Sequence, residues 1–96
     1  MGAEQFFTKA EGKNAQEAFK LAVSQAQYDH GHSGYTGTIA EKNEFVMIPL
    51  PEGREAEPYA DELMNTLDER IDSKWGPAGC FEVAPGQYAF FGWASS

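Results

Sequence analysis

The apolar positions change period as the chain advances, and each change marks an element. Phe6 and Phe7 sit side by side between Glu4 and Ala10, with no turn former before Glu11-Gly12-Lys13, which predicts a first strand and its closing turn. From Ala15 the spacing becomes helical: Ala15, Ala18, Phe19, Ala22, Val23 and Ala26 share one face. Asn14 with Glu17 forms a capping box at its start, and Gly31 is the natural left-handed terminator, so the helix is expected from Ala15 to Asp29 or His30. Its face is mostly alanine, which lets a helix lie close and flat across strands.

Thr36 to Ala40 and Glu44 to Leu50 read as two further strands, with Lys42-Asn43 as the turn between them. The unbroken run Phe45-Val46-Met47-Ile48 is that of a central strand buried on both faces. Pro49 to Pro58, with Pro51 and Gly53 between, is a loop. Pro58 suits the first turn of a second helix with the stripe Tyr59, Leu63, Met64, Leu67 and Ile71. Glu57, Asp61 and Glu62 complement the positive end of that helix, but Asp68, Glu69 and Asp72 oppose its other end. After a turn at Trp75 to Gly79, Cys80–Ala84 and Gln87–Trp93 form a hairpin around Pro85-Gly86, a type II pair. Tyr88, Phe90, Phe91 and Trp93 place aromatics on both sides of the last strand, so it is either sandwiched or covers a partner subunit.

These elements give a single α+β domain over residues 1–96 with the order β-α-β-β-α-β-β. The expected architecture is a mainly antiparallel sheet with two helices on one face, a ferredoxin-like variant with extra hairpin strands. Two helices on one face leave the other bare, which predicts a homo-oligomer, most simply a twofold dimer.

Composition narrows the function classes. With 96 residues, 42% hydrophobic, the chain folds rather than staying disordered, and a formal charge of −8 argues against general binding to nucleic acid or to an anionic membrane. One cysteine, Cys80, precludes an internal disulfide and suits a reducing compartment; with no signal peptide or membrane span in view, the cytoplasm is the default.

The candidate chemistry lies between Asp29 and Lys42, which hold both histidines, three glycines and four hydroxyl side chains. One reading is a metal or catalytic centre from Asp29, His30 and His32, with Glu41 or Glu44 as a further ligand; it yields a metal-dependent hydrolase. A second is an anion or nucleotide loop of Gly31, His32, Ser33, Gly34, Tyr35, Thr36, Gly37 and Thr38. Its amides and hydroxyls would face a phosphate, Tyr35 would stack on a base, and Lys42 and the loop residue Arg54 would offset charge. The run from Gly31 to Ala40 contains no acid, but neither a Walker nor a dinucleotide-binding glycine motif is present. A third reading is structural, a helix C-cap followed by a glycine-bearing loop. Elsewhere, Cys80 reads as a core residue, and Trp75 and Trp93 as core or interface anchors.

The string Gly-Tyr-Thr-Gly-Thr-Ile-Ala-Glu-Lys, residues 34–42, following an alanine-rich helix, resembles a signature of small uncharacterised proteins of phage and prophage type. The resemblance covers about a third of the chain and implies a setting in the host cytoplasm, with two roles: sequestering a host signalling nucleotide, or blocking a host factor by contact. The leading expectation is a non-enzymatic module, needing no cofactor, that binds a small anionic ligand such as a nucleotide. The alternative is an acidic inhibitor that contacts a host protein.

Overall fold

A computed structural model describes residues 3–30 and 38–95. The chain runs through β1 (Ala3–Glu11), α1 (Ala15–His30), a 3-10 turn (Ile39–Glu41), β2 (Phe45–Met47), α2 (Ala56–Asn65), β3 (Ala78–Ala84) and β4 (Gln87–Ser95). The strands form one mixed sheet in the order β1-β4-β3-β2. β4 is antiparallel to both of its neighbours, and β2 is parallel to β3. This is the expected α+β class and order of elements, with a 3-10 turn where the third element was read as a strand.

Local chemistry explains most boundaries. Asn14 Oδ1 accepts from the Glu17 amide at 2.9 Å, which starts α1 where the capping box places it. Gly86 has φ +77°, the backbone that the second central position of a type II turn demands, so β3 and β4 fold back on each other. Thr38 Oγ1 accepts from the Ala40 amide at 3.2 Å, and this cap winds residues 39–41 into a turn instead of a strand.

Two elements end earlier than their apolar patterns suggest. β2 is an edge strand, not the central one: Met47 is exposed, Ile48 still donates its amide to Cys80 O at 2.9 Å, and Pro49 and Pro51 then remove the donors that would continue the ladder. α2 stops at Asn65. The Asp68 amide donates to Leu63 O at 3.0 Å and the Leu67 amide to Met64 O at 3.2 Å, a Schellman closure that holds Leu67 at φ 55°. Leu67 and Ile71 are therefore not one helical stripe.

Successive strand residues point to opposite faces, and both faces are apolar. On one, Phe6, Ala10, Cys80, Tyr88, Phe90 and Ala94 meet Ala18, Phe19 and Ala22 of α1, together with Ile39. On the other, Phe81, Ala89 and Phe91 meet Ala60, Leu63 and Met64 of α2, together with Ile48 and Ile71. The helices thus lie on opposite faces, which corrects the expectation of two helices on one face. With aromatic side chains on both sides of β4, each face needs its own cover. Among the described residues each face has its own helix, so the dimer expectation loses the bare face on which it rested.

Candidate functional site

The α1 face presents the ends of the predicted loop. Asp29 is exposed near the end of α1, and His30 is its last residue. His32, Ser33, Gly34, Tyr35, Thr36 and Gly37 lie outside the described residues. Downstream, Thr38 caps the 3-10 turn, whose Ile39 is buried among Phe19, Ala22 and the strand residues. Phe6, Phe7, Thr8, Ala22, Gln25, Ala26, Asp29 and Thr38 line a concavity of about 360 Å³ between α1 and the edge strand β1. Among the described residues, no group of three or more histidine, cysteine or acidic side chains is placed to hold a metal.

Lys42, predicted at the edge of an anion site, points inward. It is only 3% exposed, and its Nζ donates to Gly76 O at 2.8 Å, Lys74 O at 3.1 Å and Ser73 O at 3.4 Å. Three ammonium hydrogens meet three backbone carbonyls, so the side chain ties the 3-10 turn to the segment between α2 and β3. Burial lowers its pKa from 10.5 to about 8, against a raising contribution from Glu41. This ammonium is committed to the fold.

Arg54 lies elsewhere, on the α2 side. Its guanidinium sits 4.6 Å from the centre of the Tyr59 ring and donates to Glu62 Oε1 at 3.2 Å. It borders an open cleft of about 880 Å³ with Lys9 and Glu11 of β1, Glu55, Glu57 and Asp61 at the start of α2, and Val83 and Tyr88 below. α2 has ten residues and spans about 15 Å, whereas the nine-residue β1 and β4 span about 30 Å, so one end of the sheet stays uncovered. None of residues 38–42 lines this cleft. The structure therefore does not bring together Thr38, Lys42 and Arg54.

Sequence reasoning missed a third region, between α2 and β3. Leu67 is 60% exposed and Trp75 is 67% exposed. Beside Leu67 a concavity of about 340 Å³ is lined by Ala3, Leu67, Asp72, Lys74 and Trp93. The Lys74 ammonium lies 5.4 Å from the Trp75 ring centre. The signal that could have found this region was the acid-rich stretch after Leu67, Asp68, Glu69 and Asp72, which disfavours a helix C-terminus and so argues for an earlier stop. Asp68 serves that stop: it accepts from Arg70 Nε and Nη2, each at 2.9 Å, and from the Arg70 amide at 3.0 Å.

Cys80 is the core residue expected. It is fully buried, and burial, with Glu82 adding, pushes its thiol up to about 12, so it stays a neutral thiol. No helix among the described residues is long and apolar enough to cross a membrane. No protein-family model, curated protein or solved structure matches the chain.

Proposed function

We propose that the protein is a non-enzymatic module that binds a small anionic ligand, of the nucleotide class, through residues 31–38. With no matching protein to draw on, the reading rests on the site's own chemistry. One observation carries it: an acid-free run with three glycines and four hydroxyl side chains starts where α1 ends and finishes at Thr38, beside the α1–β1 concavity. Both flanks belong to the packed frame, because α1 and Ile39 bury side chains in the same core. Connecting segments with anchored ends are where a scaffold commonly carries a site.

The frame alters the proposed chemistry. Lys42 and Arg54 are engaged elsewhere and Thr38 caps the 3-10 turn, so recognition falls to backbone amides and to the hydroxyls of Ser33, Tyr35 and Thr36. Asp29 at the border favours ligands that also carry a donor, such as a sugar hydroxyl or a base amino group. Such a site suits a nucleotide better than inorganic phosphate.

The test is a thermal-shift panel of mono-, di- and cyclic nucleotides. Binding at 100 times Kd stabilises by about 2.7 kcal/mol, a shift on the order of 10–20 °C for a domain of this size. Tyr35→Ala and Thr36→Ala are expected to abolish the shift while leaving the unliganded melting temperature within a degree or two. A flat panel, or a shift unchanged in both variants, rejects the reading.

A further inference from the structure

The sheet has two edges, and the chain treats them differently. β2 offers three residues at one edge and is followed by Pro49 and Pro51, so a further strand finds few donors there. β1, at the other edge, runs for nine residues without a proline, and its register with β4 holds from Ala3 to Glu11 without a bulge. The Gly12 amide donates to Gly86 O at 3.1 Å, one step beyond that register. Bonded pairs alternate in an antiparallel ladder, so the even residues of β1 turn their N–H and C=O groups to β4, and Ala3, Gln5, Phe7, Lys9 and Glu11 turn theirs outward. Among the described strands, β4 is the only neighbour of β1. A long, unbulged edge with its donors and acceptors in step is a template for a further strand.

We infer that β1 pairs with β1 of a second copy of the chain, antiparallel and centred on Phe7, which joins the two sheets into one. The strand's own sequence selects this occupant. About that centre Gln5 stands opposite Lys9 of the second copy, Glu4 opposite Ala10, Glu11 opposite Ala3 and Phe6 opposite Thr8, so no two like charges meet. A centre at Lys9 would set lysine against lysine, and a centre at Gln5 would shorten the ladder. The middle of the strand, Gln5 to Thr8, carries no charge. Phe7 is half-buried beside the α2 core, and in this register the two Phe7 side chains stand opposite each other, so pairing covers what the monomer leaves exposed. The charge of −8 on each copy opposes the pairing at long range, which makes it a reversible association that salt strengthens.

The inference does not depend on the nucleotide reading, and its test runs without nucleotide. Sedimentation equilibrium of the full chain should show monomer and dimer in exchange, with the dimer favoured by added salt. Lys9→Pro removes an outward amide and leaves the β1–β4 ladder its bonds, so this variant, its fold checked by circular dichroism, should dimerise at least about tenfold more weakly. Two further variants test the register without altering the backbone. Gln5→Glu sets a carboxylate opposite Lys9 of the second copy and should tighten the dimer several-fold, whereas Gln5→Lys should weaken it several-fold, each against the change it makes in net charge. Should Lys9→Pro fail to fold, the Gln5 pair decides alone. A chain that stays monomeric at every concentration overturns the inference. So does a dimer that folded Lys9→Pro leaves intact, or one that the two Gln5 variants shift in the same direction or in the order of their net charge.

Discussion

The two faces of the sheet are closed by different means. The α1 face is covered by a sixteen-residue helix, with Ile39 of the 3-10 turn beside it; the helix contact residues Ala18 and Ala22 are fully enclosed, so its backbone lies close to Phe90 and its neighbours. Phe19, Phe45 and Phe90 fill the remaining space, with ring centres 5.0–5.7 Å apart. The α2 face has a ten-residue helix and completes its core with Ile48 and Ile71, which come from irregular chain. Irregular chain needs polar fastenings, and here they are Lys42 on three carbonyls and Asp68 on Arg70. The regular layer leaves the α1–β1 concavity at its edge, whereas the fastened layer leaves the Arg54 cleft, Leu67 and Trp75 at the exterior.

The sharpest break in this comparison is Lys42→Met. It keeps the length of the side chain but leaves three carbonyls without their donor, and it should destabilise by about 2–4 kcal/mol in urea titration. A loss below about 1 kcal/mol would show that the irregular layer is held by something else. Next comes Ala18→Leu, which forces three carbon atoms into the α1 contact and should cost about 1–3 kcal/mol by the same titration. If the variant is as stable as the parent, that layer is looser than its enclosed alanines imply.

Smaller effects separate the fastenings. Hydrogen bonds from the Arg70 side chain, then from its amide, lower the Asp68 pKa from 3.8 to about 2. The native state therefore binds this proton less readily than the unfolded chain. The stabilisation is complete above pH 3.8 and disappears as the pH falls through about 2. Being near the surface, the pair should contribute only about 1 kcal/mol, seen as a shallower acid limb in Asp68→Asn. The smallest expected change has the opposite sign. Leu67→Gly relieves a left-handed backbone that costs a non-glycine residue about 1–2 kcal/mol, offset in part by glycine's entropy, so the melting temperature should rise by the equivalent of about 0.5–1 kcal/mol. A fall would mean that the exposed leucine already packs on its own fold.

Features set by neighbours in sequence were legible in the sequence. Asn14, the alanine face of α1 and Pro85-Gly86 each act through residues a few positions away, and each forms as its local chemistry dictates. Features set by distant residues were not. A strand as apolar as β4 does not say which helix takes which side, and the run Phe45 to Ile48 looks the same at an edge as at the centre. Lys42 was misplaced for the same reason, because its three acceptors lie 31 to 34 positions away and backbone carbonyls leave no mark on composition. Of the candidate site, Thr38 and Asp29 fall near the proposed loop and Arg54 falls apart from it.

The longest ladder in the sheet joins β1 to β4, from Ala3 opposite Ser95 to Glu11 opposite Gln87. Among the described strands β1 has no other partner. During synthesis this first strand must therefore wait until the last one has left the ribosome, and a chain halted after β3 would carry Phe6 and Phe7 without their cover. Completion of the fold is coupled to completion of this stretch of polypeptide, and truncated products should fall to proteolysis instead of accumulating as partial domains.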